Sequence, residues 1–276
     1  MATNNITLSG AVRSNLLTLQ LTQRQIDTTQ NRLATGLKVN SPLDNASAFF
    51  AARSLNDRSS DLSSLKSDID QGISSLEAAI SGISAITDLA EQAKGLAITA
   101  KATSDTNERS SLGVQFDALL TQINSITNDT SFAGTNLLKA SPDNLTVNFN
   151  EDGSSALTIS GIDSTTGTGG INIAGAVGNF AADTNIDAAI TAVNTALTTL
   201  RSSASTLGSN SAVLTTRLDF TESLSNTLKG GATKLTQADL NEESANLLAL
   251  QTRQQLGINS LALASQSERS ILALFG

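Results

Sequence analysis

The stretch DLSSLKSDIDQGISSLEAAISGISAITDLAEQAKGLAITA, residues 61–100, decides the architecture. Leu62, Ile69, Leu76, Ile83, Ala90 and Ala97 recur at every seventh position. Leu65, Gly72, Ala79, Ile86, Ala93 and Ala100 fill the companion position, with Ile73 and Ile80 broadening the stripe. Steps alternating between three and four place these residues on one narrow helical face, the seam of a coiled coil or bundle. Counted from Asp44 to Ala100, such a helix would be about 85 Å long at ~1.5 Å per residue. Its Ala-rich C-terminal third lets neighbouring helices approach closely.

The same beat continues on both sides. A first helix is predicted near residues 5–35, on the stripe Val12, Leu16, Leu19, Gln23, Ile26, Gln30 and Leu33, and stops at Gly36. Lys38–Asn45 reads as an extended link in which Pro42 pushes Ser41 out of α geometry and Asp44 caps the long helix. After a turn at Thr103–Asn107, a third helix carries Leu112, Phe116, Leu119, Ile123 and Ile126 and ends near Asn128. A fourth runs from Ile186 through Val193, Leu200, Leu207, Leu214 and Leu228, with Gly230 and Gly231 expected to end it. The last follows Leu240, Ser244, Leu247, Gln251, Gln254, Ile258, Leu261 and Ser265 to Leu272 and Phe275.

Between the third and fourth helices the period drops to two. Leu145, Val147 and Phe149 alternate with polar residues, as do Leu157 with Ile159 and Ile171 with Ile173, and glycines break the runs. A small β-hairpin with irregular flanks is expected at about 140–182. The fold class is therefore mainly α, a long-helix coiled coil or bundle with a small β element. Turning back at the strands would pair the first and last helices. Two discontinuous domains follow: residues 1–43 with 232–276 as a terminal coiled coil, and residues 44–231 as the helical bundle.

Composition narrows the function. With 17 basic and 25 acidic residues the net charge is −8, and no basic cluster offers a phosphate-binding or membrane-surface face. Nucleic acid and membrane insertion are excluded as expectations, since no apolar run is long enough to span a bilayer. His and Cys are absent, which removes the commonest general base, metal ligands and thiolate chemistry. Asp61, Asp68, Asp70, Glu242 and Glu243 lack Ca²⁺-loop spacing, and Gly167-Thr168-Gly169-Gly170 opens no helix. No enzyme, cofactor or metal is expected. Phe116 and Phe220 read as core. Phe275 is expected under a neighbouring copy. Gln23, Gln30, Gln251 and Gln254 are expected to hydrogen-bond within an assembly. Terminal stripes diluted with Gln and Ser bury little, so the packing set Val12, Leu16, Leu19, Ile26, Leu33, Leu247, Ile258, Leu261, Leu272 and Phe275 needs other copies of the chain.

Several stretches, taken in order, resemble bacterial flagellin. Arg32-Leu33, Gly36-Leu37, Asn40-Ser41 and Asp44-Asn45-Ala46 are similar to its N-terminal signature. Asp70-Gln71-Gly72-Ile73-Ser74 resembles its Asn-Asp-Gly-Ile-Ser, and Thr130-Ser131-Phe132-Ala133-Gly134 its Thr-x-Phe-Asn-Gly. Asn246, Leu250, Gln254, Leu256, Gly257, Leu261 and Ala262 resemble its other terminal helix. The resemblance implies a self-assembling subunit of the extracellular flagellar filament, used for swimming. The terminal helices would form an inner tube and the bundle an outer one. It also implies unfolded export through the flagellar secretion apparatus, aided by a chaperone, without a cleaved Sec signal, and contacts with junction and cap proteins. Rival readings are a hook–filament junction protein, or a signalling coiled coil.

Overall fold

A computed structural model describes residues 10–275, and within that span every side chain but those of residues 11, 268, 269 and 271–275. The elements run α1 (Gly10–Thr35), α2 (Ala46–Ala102), α3 (Thr106–Asp129), β1 (Leu145–Asn148), β2 (Ala156–Ile159), α4 (Asp183–Thr236) and α5 (Leu240–Phe275). The predicted start of α1 near residue 5 lies outside the described residues. The chain divides into two compact units, Met1–Asp57 with Thr227–Gly276, and Arg58–Asn226. These limits differ from the sequence-based 43/44 and 231/232 because both fall inside uninterrupted helices, α2 and α4. Gly and Pro signals do not mark them.

In the bundle unit, α2 buries the heptad stripe as read. Ile69, Leu76, Ile83, Ile86, Ala90, Ala93, Ala97 and Ala100 are inaccessible or nearly so. They pack in one core with Phe116, Ile123, Ile186, Val193, Leu200, Leu207 and Leu214. Each fully buried Leu, Ile or Phe stabilises by roughly 1.5–3 kcal/mol, so this single cluster carries the unit. Phe116 meets Phe180 edge-on at 5.2 Å. That burial offsets the strain of Asn179 and Phe180 at φ +50° and +61°. Phe220 departs from expectation: it is 58% exposed, one residue short of the buried Thr221 that continues the α4 stripe.

One hairpin forms, antiparallel, with Leu145 opposite Ile159 and Val147 opposite Leu157. It docks where α2 lacks side chains: a Cβ on Gly72 would lie 2.7 Å from Val147 Cγ2. Arg217 covers the Phe149 ring at 4.9 Å, and Arg58 Nε donates to Glu151 at 3.0 Å. The third alternating run makes no strand. Ile171 and Ile173 are buried, but their amides donate to Thr165 and Thr166 carbonyls inside a compact loop. A period of two over three residues cannot distinguish that loop from a strand.

Two further expectations change. Asp44 does not cap α2; Asn45 does, its side-chain oxygen accepting from the Ala48 amide at 3.0 Å. Gly230 and Gly231 do not end α4, which continues to Thr236. Helical geometry persists there because Ala232, just beyond, is buried within the terminal unit.

Candidate assembly surface on the terminal helices

The terminal unit is built on α1 and α5, which pack against each other. Gly36, at φ +71°, ends α1 by donating its amide to the Arg32 carbonyl at 2.8 Å. The link then pairs with the end of α4: Leu37 bridges Gln237, and the Lys38 amide donates to the Thr236 carbonyl at 2.7 Å. Asn40 and Ser41 amides and the Ser41 hydroxyl all donate to Asp44 Oδ2, at 3.1, 2.9 and 3.0 Å. Those bonds, the Ser41 ones foremost, hold the Asp44 carboxyl below the usual carboxylate range. Asp239 starts α5 by accepting from the Asn241 and Glu242 amides. The signature residues Arg32, Gly36, Leu37, Asn40, Ser41 and Asp44 thus lie along one tie between the helices of this unit, and Ala46 opens α2. Phe132 and Gly134 belong to the other unit, in a tight turn where Phe132 and Thr135 exchange both backbone bonds and Ala133 and Gly134 take φ +48° and +85°.

Three contacts set α1 and α5 antiparallel. Arg32 Nη1 donates to Glu243 at 3.0 Å, Gln254 Nε2 donates to Gln23 Oε1 at 2.7 Å, and Gly257 lies against Leu19. Each step down α1 is matched by one up α5. The inward face of α1 is Val12, Asn15, Leu19, Thr22, Ile26, Thr29 and Leu33; that of α5 is Glu243, Leu247, Leu250, Gln254, Gly257, Leu261 and Ala264. Both keep the alternation of three and four.

This seam shares only part of the predicted stripes. Val12, Leu19, Ile26, Leu33, Leu247 and Leu261 face inward, and so does Gln254. Leu16, Gln23, Gln30, Leu240, Ser244, Gln251, Ile258 and Ser265 do not; the seam takes Asn15, Thr22, Thr29, Leu250 and Gly257 instead. Leu272 and Phe275 have side chains outside the described residues. The cause is polarity: choosing the more apolar neighbour selects Leu16 over Asn15, whereas alternate layers of this seam hold polar or small residues. Thr22 is 3% exposed and returns its hydroxyl to the Thr18 carbonyl at 2.9 Å.

The Leu side chains left out of the seam point to solvent. Leu17 and Leu21 are 56% and 48% exposed, and Leu248, Leu256 and Leu263 are 67%, 63% and 70% exposed. Leu240 and Ile258 flank the seam, about half exposed. Among the described residues of α5, no apolar side chain is buried; the one buried residue is Glu243. Several large apolar side chains together on an exposed helix mark a surface that other protein covers. The signal was present in the sequence, since α5 carries more leucines than one stripe accommodates.

Comparisons with known proteins agree along the whole chain. A family model of the bacterial flagellin N-terminal helical region matches residues 6–143, and one of the C-terminal helical region matches residues 190–275. Flagellin FljK of Caulobacter vibrioides is 33% identical over 282 residues, covering 100% of both chains. Flagellin FljM of the same organism is 32% identical over 276 residues, again with 100% coverage of both. A flagellin of Brucella melitensis is 31% identical over 94% of this chain and 95% of its own.

Proposed function

The chain belongs to the bacterial flagellin family and is a structural subunit of the extracellular flagellar filament, and from that premise we propose which of its parts build the polymer. Val12, Leu19, Ile26 and Leu33 hold α1 on α5 through Leu247 and Leu261. Leu16 and Ile258, joined by Leu17, Leu21, Leu248, Leu256 and Leu263, meet neighbouring copies. Leu272 and Phe275 extend that outward set. The terminal unit forms the inner tube of the filament and the bundle unit the outer one. The role is mechanical, with no catalytic step. The subunit is exported unfolded through the flagellar secretion apparatus, its C-terminal part held by a chaperone, and it meets junction and cap proteins at the filament ends.

One observation carries this reading: among its described residues α5 buries no apolar side chain within its own chain. Removing residues 260–276 takes away Leu261, Leu263, Leu272 and Phe275 and leaves the bundle core untouched. The truncated protein should remain a soluble, mostly helical monomer by circular dichroism and should not elongate filament seeds under negative-stain microscopy. Normal filaments from the truncation would contradict the assignment.

A further inference from the structure

The helix pair of the terminal unit also carries a charged groove that its own chain leaves unsatisfied. Leu21, Arg24, Gln25, Thr28, Thr29 and Arg32 of α1 and Glu243, Asn246, Ala249, Leu250 and Arg253 of α5 enclose a cleft of about 580 Å³. Three guanidiniums share it with one carboxylate. Glu243 is already matched, accepting from Arg32 at 3.0 Å. Among the described residues Arg24 and Arg253 form no ion pair, and both are exposed. The groove is therefore net positive in a chain whose net charge is −8.

We propose that this groove receives carboxylate side chains of a second copy of the chain, so that Arg24 and Arg253 fix one subunit-to-subunit contact. The proposal rests on the filament reading above and names a partner for the same unit. Charge complementarity selects the occupant, since each copy brings 25 acidic against 17 basic residues. A groove of this volume accommodates one or two side chains of an incoming subunit. A guanidinium presents a planar fork that matches a carboxylate with two parallel bonds and sheds water readily, which suits a contact formed as surfaces close. Leu21, Ala249 and Leu250 supply the apolar part of the groove's lining. Glu243 serves to hold Arg32 in place, leaving the outer two arginines for the incoming groups. Such contacts set register and association rate as much as affinity.

The test is seeded growth of the full chain, followed by light scattering at about 50 mM and about 500 mM NaCl, where screening shortens from about 14 Å to about 4 Å. Arg24→Gln with Arg253→Gln should raise the critical concentration about tenfold at low salt and flatten its salt dependence. Arg24→Lys with Arg253→Lys should keep most of that dependence. Circular dichroism of the monomers should be unchanged, because both side chains are exposed. A Gln pair that grows at the wild-type critical concentration, with the wild-type salt response, overturns the inference and leaves the filament role intact. A wild-type chain that never elongates seeds rejects that role, and this contact with it.

Discussion

Asn136 shows how much one buried polar side chain specifies. Its amide nitrogen donates to the Thr127 and Asn128 carbonyls at 2.8 and 3.0 Å, and its oxygen accepts from the Leu138 and Lys139 amides at 2.8 and 3.0 Å. All four side-chain valences are used, tying the end of α3 to the turn that follows. Asn136→Ala strands buried backbone groups, so it should destabilise the bundle unit by about 2–4 kcal/mol in urea unfolding. A loss below about 1 kcal/mol would show that water replaces the network. Asp44 governs the terminal unit differently. Its folded pKa is depressed, so its contribution is present above the unfolded value near 3.9 and is lost as pH falls through the lower folded value. The melting-temperature gap between wild type and Asp44→Ala should be open at neutral pH and close below about pH 4. A gap constant with pH would mean the carboxylate charge contributes nothing. Neither role stands out in sequence, because an Asn or Asp in a turn looks the same whether it holds one bond or four.

Periodicity alone fixed α2 and the bundle-facing part of α4, where large apolar residues recur without interruption. It misplaced part of the α1 and α5 seams, because Thr22, Thr29 and Gly257 lie inside and Leu16 and Ile258 lie outside. Hydrophobic choice cannot find a seam made half of polar or small residues. A similar limit applies at Gly230-Gly231, where local punctuation argued for a stop and tertiary packing carried the helix on to Thr236. Packing does not require glycine at either place: a Cβ at Gly230 meets nothing within 4 Å, and one at Gly231 meets Leu55 Cδ1 at 3.5 Å. Each glycine in a helix interior costs roughly 1 kcal/mol against Ala. The double variant Gly230→Ala, Gly231→Ala should therefore raise stability by about 1–2 kcal/mol in thermal unfolding. Destabilisation would show that α4 departs from regular helix there.

At the scale of the molecule, the two units differ in how they treat their apolar residues. The bundle unit closes over a continuous core from Ile69 to Leu214. Among the described residues, the buried apolar side chains of α1 are Val12 and Ile26, while α5 contributes half-buried leucines and directs others to solvent. Isolated helices are marginal in water without an apolar face under cover, so in the proposed assembly the ends of the chain gain most of their stability from other copies. Hydrogen–deuterium exchange on dilute monomer and on filaments tests that dependence most directly. Amides of α1 and α5 should exchange in the monomer orders of magnitude faster than those of α2 around Ile83, and should become as slow as those once the filament forms. Terminal helices protected equally with the bundle core in the isolated monomer would contradict the account.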